Sequence, residues 1–234
     1  MSTAILTGIG SGIGRAVAIE LSSKKFYDKY ALIGRNIKAI EDTIFKMKEN
    51  GAEEVSFYPV DLSEPKKLPE IIKTIDIQEG NIVALYNIAG YTDPQPLITT
   101  TLESFELTYK VNVFAPFVLM RETAKYMRSN GGKIMNIAST AGMTPRPGWL
   151  SYASSKAAII AMSQTLTTEL AEYGIKVYCV SPGRCATKLR TRLAPDEDPT
   201  TIMQPEEVSE VICNLMNPKE KCLDGQNIVI RKQI

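Results

Sequence analysis

Residues 7–14 read Thr7-Gly8-Ile9-Gly10-Ser11-Gly12-Ile13-Gly14, a glycine-dense stretch that follows the short apolar run Ala4–Leu6. The G-x-G-x-x-G dinucleotide spacing fails from every start, because the third glycine position is filled by Ile13, Arg15 or Val17. A P-loop fails as well, since no Gly-Lys pair follows. Two readings remain: a differently spaced phosphate loop, or a tight strand-to-helix turn. Glycines admit a close approach that a Cβ blocks. A helix beginning near Ser11 or Gly12 would direct its free N–H groups and positive dipole end at the loop, with Arg15 just inside.

Outward from this loop the chain alternates. Ala4–Leu6, Tyr30–Ile33, Val55–Val60, Ile82–Tyr86, Lys133–Ile137, Lys176–Val180 and Ile228–Ile230 read as buried strands. Helical periodicity fills the intervals, with Asn50-Gly51, Asn130-Gly131 and Gly174 as stop signals. The expected fold is α/β: a doubly wound, Rossmann-type parallel sheet of about seven strands with helices on both faces. No linker or repeat divides it, so residues 1–234 are expected to form one domain. Ligands in such sheets bind outside the C-terminal strand ends. The glycine loop, Gly34-Arg35-Asn36, Asp61-Leu62-Ser63, Asn87-Ile88-Ala89-Gly90, Ser139 and Ser181-Pro182-Gly183 each follow an apolar run, which puts all six on one edge.

Composition narrows the chemistry. The 234 residues include no histidine, which excludes Ser-His-Asp and Cys-His hydrolases and His-ligated metals. Cys179, Cys185, Cys213 and Cys222 form no C-x-x-C pair, so neither a metal site nor a disulfide framework is expected. Cys185 reads as a small packing residue. A formal charge of +1 gives no general attraction to nucleic acid or to an anionic membrane. With no signal-like segment and no apolar stretch of spanning length, the expected setting is cytoplasmic.

Taken together, these motifs resemble the short-chain dehydrogenase/reductase family in its compact single-domain branch. Gly8, Gly12 and Gly14 fit its T-G-x-x-x-G-x-G spacing. Asn87-Ile88-Ala89-Gly90 resembles N-N-A-G with Ile88 in place of the second Asn. Asn112, Ser139 and Tyr152-Ala153-Ser154-Ser155-Lys156 match its catalytic positions in order, and Pro182-Gly183 with Thr187 its P-G-x-x-x-T segment. The resemblance implies hydride transfer between a nicotinamide and a carbonyl or secondary alcohol. Tyr152 is then the acid–base residue, Lys156 lowers its pKa and holds the nicotinamide ribose, Ser139 bonds the substrate oxygen, and Asn112 anchors a relay water. It further implies cofactor contacts from Thr7, Gly8, Ser11, Gly12, Ile13, Gly14, Arg35, Asn36, Asp61, Leu62, Asn87, Ala89, Gly90, Tyr152, Lys156, Pro182, Gly183 and Thr187. A homodimer or homotetramer is expected.

The residues themselves support parts of this picture. Tyr152 and Lys156 lie one helical turn apart, on one face. A nearby ammonium favours the phenolate of a tyrosine whose free pKa is ~10. Asp61 or Ser63 has an equally physical use as a helix cap, and Asn112 as a satisfied structural amide. No carboxylate follows the second strand, and the Arg35 guanidinium there suits a 2′-phosphate, so NADP(H) is expected over NAD(H).

The substrate is less well defined. Segments 91–96, 143–149 and 188–203 are the candidate pocket walls, the last with the composition of a lid. Its Lys188, Arg190 and Arg192 point either to an anionic substrate or to a solvated loop. Three functions stay open: a carbonyl reductase similar to 3-oxoacyl-acyl-carrier-protein reductases, an alcohol or sugar dehydrogenase working oxidatively, and a non-catalytic NADP(H) sensor. The complete Asn112, Ser139, Tyr152, Lys156 set speaks against the sensor.

Overall fold

The computed structural model describes residues 1–35, 37–223 and 225–232. Seven strands, β1 (Thr3–Thr7), β2 (Lys29–Gly34), β3 (Glu54–Pro59), β4 (Ile82–Asn87), β5 (Gly132–Ile137), β6 (Ile175–Pro182) and β7 (Asn227–Ile230), form one sheet in the order 3-2-1-4-5-6-7. Every pairing is parallel. Each expected strand is present, and Val60, one residue past the end of β3, still donates to the Gly34 carbonyl at 2.9 Å.

Parallel strands need crossover helices, and these cover both faces. Along β1, Ala4 and Leu6 enter the core shared with Val17 and Leu21 of α1 (Gly12–Lys24) and Ile212 of α8 (Pro205–Leu215). Ile5 enters the opposite core with Ile72 of α3 (Leu68–Glu79) and Leu119 of α5 (Ala115–Met127). Burial on both faces is why the inner strands read as apolar runs, whereas the edge strands β3 and β7 each bury a single residue, Tyr58 and Ile230. Each fully buried Leu or Ile contributes about 1.5–3 kcal/mol. The remaining helices are α2 (Glu41–Glu49), α4 (Leu102–Tyr109), α6 (Leu150–Glu169) and α7 (Lys188–Leu193).

One helix departs from expectation. The long helix ending before Asn130-Gly131 is interrupted by a π turn, Lys110–Phe114, between α4 and α5. Asn112 sits inside this turn. Pro116 follows in the first turn of α5 and has no N–H, so the Asn112 carbonyl lacks its regular i+4 donor. Such turns recur at functional sites.

Candidate active site

The glycine loop closes around two contacts. Gly8 has φ +74°, and a Cβ there would lie 2.6 Å from the Ala89 nitrogen. A Cβ on Gly14 would overlap the Gly8 carbonyl, so α1 can start this close to β1 only with glycine at both ends. Thr7 stays beneath the loop, donating to the Tyr86 carbonyl at 3.2 Å and accepting from the N–H groups of Ile88 and Ala89 at 3.0 and 3.2 Å. Asn87 is likewise internal, its amide donating to Asn136 Oδ1 at 2.9 Å. Ser11, at the N-cap of α1, makes no side-chain cap, and the first turn of the helix borders the cleft.

A second group of side chains gathers past β5. Ser139 Oγ accepts from the Ala141 N–H at 3.1 Å, which leaves its own proton to donate. Tyr152 and Lys156 project from α6, buried with 6% and 3% exposure. Lys156 Nζ donates to the Ile137 carbonyl at 2.7 Å, tying the helix to the strand end beside Ser139. Asn112 is spent inside the protein: Oδ1 accepts from Tyr91 N at 2.8 Å, and Nδ2 donates to Tyr91 O at 2.9 Å and to Ser155 Oγ at 3.0 Å. Its side chain braces the loop after β4 against α6, the structural-amide reading of this residue.

Both groups line one cleft of ≈650 Å³ along the C-terminal strand edge. Gly8, Ser11, Gly12, Ile13, Gly14, Arg35, Asp61, Leu62, Ala89, Gly90, Ser139, Tyr152, Lys156, Pro182, Gly183 and Thr187 all border it. Thr7, Asn87 and Asn112 lie behind it, and Asn36 falls outside the described residues.

The short chain dehydrogenase family profile matches residues 2–198. The chain belongs to the short-chain dehydrogenase/reductase family. It is 34% identical over 196 residues to 2,3-dihydro-2,3-dihydroxybenzoate dehydrogenase of Bacillus subtilis, covering 83% of this chain and 74% of that one. It is 28% identical over 235 residues to the 3-oxoacyl-acyl-carrier-protein reductase FabG of Thermotoga maritima, covering 97% and 94%. A short-chain dehydrogenase/reductase from Mycobacterium marinum superposes with TM-score 0.89 at 25% identity, over 98% of this chain and 94% of that one. The enzyme is therefore a short-chain NAD(P)-dependent oxidoreductase.

In this dehydrogenase the residues present fit a nicotinamide dinucleotide. A glycine cradle and an uncapped helix start border one part of the cleft, and Arg35 and Asp61 border another. Arg35, three-quarters exposed, pairs loosely with Asp61 at 3.7 Å. Asp61 also accepts from Ser63 N at 2.8 Å. Partial burial opposes ionisation of Asp61, but the Ser63 hydrogen bonds and Arg35 hold its carboxyl below the usual range.

Burial dominates the electrostatics of Tyr152 and Lys156. Burial pushes the Tyr152 phenol up to about 12, partly offset by a Ser139 hydrogen bond and the Arg190 charge. Burial pushes the Lys156 ammonium down to about 8. The lysine faces a carbonyl, and its Nζ lies 5.8 Å from the Tyr152 ring centroid. The Arg190 charge therefore acts on Tyr152 from the lid side, in addition to the Lys156 ammonium over its ring.

Segment 188–203 leaves and rejoins the fold at one point, where Cys185 bridges Met203 and Ala186 N donates to the Met203 carbonyl at 2.8 Å. Thr187 caps α7, accepting from Arg190 N at 3.1 Å. Of the three basic residues there, Lys188 and Arg190 line the cleft, whereas Arg192 does not.

Sequence reasoning passed over two contributors. Gly142 presses the Ser139 turn onto α6, since a Cβ there would lie 2.7 Å from the Ala157 nitrogen. Ser155 accepts the Asn112 amide. The S-T-A-G run after β5 was the available signal for Gly142, and the position of Ser155 inside Y-A-S-S-K the signal for the other.

Proposed function

We propose that this enzyme is an NADP(H)-dependent carbonyl reductase, running in reverse as a secondary-alcohol dehydrogenase, with Tyr152 as its acid–base residue. The observation that carries the reading is the convergence of Ser139, Tyr152 and Lys156 on the cleft that also holds Arg35. The bound nicotinamide supplies or accepts the hydride. Ser139 and Tyr152 hydrogen-bond the substrate oxygen, where negative charge develops during reduction. Tyr152 then passes its proton to that oxygen, or takes it back in oxidation. Lys156 holds the nicotinamide ribose, and the Asn112 carbonyl, freed of its helical donor by Pro116, anchors the water that re-protonates the site.

Gly8, Ser11, Gly12, Ile13 and Gly14 cradle the pyrophosphate over the start of α1, and Arg35 pairs with the 2′-phosphate. Arg35 and the lack of an acid in Gly34-Arg35 support NADP(H) over NAD(H). Asp61 and Leu62 border the adenine, Ala89 and Gly90 the adjoining ribose, and Pro182, Gly183 and Thr187 the carboxamide. Residues 188–203 act as the lid, supported by the bridge that brings the two ends of the segment together.

Exposed Ile98, Leu102, Phe114 and Phe117 along α4, α5 and the turn before them support a homo-oligomer. Four free cysteines suit a cytoplasmic setting. NADPH and NADH oxidation against a panel of ketones, quinones, 3-oxoacyl thioesters and sugars tests the reading. A carbonyl reduced faster with NADPH supports it, and no turnover with any of them refutes it.

A further inference from the structure

Charge along the cleft is one-sided. Asp61 is the one acidic residue among the described cleft-lining residues, whereas Arg146, Arg184, Lys188 and Arg190 all border it. Arg190 is the most tightly placed of the four. Its Nε and Nη2 donate to Glu197 at 2.5 and 2.8 Å, and its guanidinium sits 5.7 Å from the Trp149 ring centroid. Trp149 in turn meets Tyr152 edge to face at 6.5 Å. The cation is thereby fixed beside the acid–base residue.

Glu197 engages one edge of the Arg190 fork and leaves the Nη1 edge for a second anion. It also pairs with Arg184 at 3.3 Å, so one carboxylate serves two guanidinium groups. Among the described residues no carboxylate pairs with Arg146 or Lys188. A guanidinium excess against an indole and a tyrosine is a setting for a planar anion, and the Glu197 contact displays the geometry with which Arg190 takes one.

We propose, building on the reductase reading above, that the substrate carries a carboxylate, gripped by Arg146 and Arg190 while its reacting oxygen meets Ser139 and Tyr152. The substrate class is then an oxo acid or hydroxy acid. A neutral ketone of the same shape leaves the Arg146 charge without a partner, so the preference follows from charge and not from size.

Trp149, the single tryptophan of the chain, reports directly on this corner. Its fluorescence is titrated, with the enzyme saturated with NADP⁺, using 3-oxocyclohexanecarboxylate, 4-oxopentanoate and the methyl ester of each. The expected result is that at least one acid half-saturates at a concentration about tenfold or more below its ester, as charge-assisted bonds require. Salt should weaken the acid more than the ester. Arg146→Gln, at an exposed position without an acid partner, should erase the difference, and Arg190→Gln should do the same.

Esters that bind as tightly as the acids, or acids that fail to saturate, overturn the proposal. Failure of the reductase reading is separate. Acid binding through both arginines without NADPH oxidation by any carbonyl refutes that reading alone. Efficient reduction of neutral ketones with no acid preference refutes the carboxylate grip alone.

Discussion

Lys156 donates its ammonium to the Ile137 carbonyl at 2.7 Å, and its Nζ stands 5.8 Å from the ring centroid of Tyr152, its partner one helical turn away. The lysine is thus a buried cation held by a neutral acceptor, and burial lowers its pKa to about 8. A lysine depressed in the folded state costs stability below its folded pKa. That cost fades as pH rises from about 8 towards the unfolded value of 10.5. Lys156→Met should therefore be inactive yet more stable, by about 1–3 kcal/mol at pH 6.5 and by less at pH 9.5. Thermal melts of both proteins at the two pH values check this. Equal or lower stability of the variant at pH 6.5 contradicts it.

The same ionisation should appear in kinetics. Because kcat/KM reports the free enzyme, kcat/KM for NADPH should fall on the alkaline side with a midpoint near 8, as the ammonium is lost. Tyr152, pushed up to about 12, remains a phenol and a competent donor throughout that range. Lys156→Arg should move the alkaline limb upward, since a guanidinium stays charged. A pH profile whose limb does not move assigns it to another group.

Within the glycine loop the four glycines are unequal. A Cβ on Gly14 collides with the Gly8 carbonyl, whereas one on Gly10 finds nothing nearer than the Ala39 carbonyl at 3.4 Å. Gly14→Ala should destabilise the protein by about 2–4 kcal/mol and abolish cofactor binding. Gly10→Ala should change either property little. Chemical denaturation and NADPH fluorescence titration separate the two, and equal tolerance at both positions would refute the loop geometry.

The proposed preference for NADP(H) rests on Arg35. Its pair with Asp61 is exposed and long at 3.7 Å, so breaking it costs little stability. Arg35→Ala should raise KM for NADPH about 10–100-fold and leave KM for NADH within about twofold. Equal effects on both cofactors contradict a 2′-phosphate contact.

The strands and the order of the motifs were legible in the sequence because a parallel sheet covered on both faces leaves apolar runs, six of the seven followed by a motif. Tyr152 and Lys156 were legible from a four-residue helical spacing. The electrostatics between them were not, because the lysine's acceptor comes from the end of β5, a tertiary neighbour that no spacing encodes. The π turn at Lys110–Phe114 was hidden for a related reason, since one extra residue within a long amphipathic run barely shifts its period. Lys188, Arg190 and Arg192 looked alike until Glu197 and Trp149 singled out Arg190.

The central claim is that the Tyr152 hydroxyl moves the proton, and Tyr152→Phe tests it most directly. NADPH binding and NADPH oxidation are measured on the same preparation with the best carbonyl substrate found. The account predicts a loss of about 10²–10⁴ in kcat with the NADPH dissociation constant changed less than about threefold. A variant that binds NADPH normally and keeps turnover within about tenfold of the parent contradicts it.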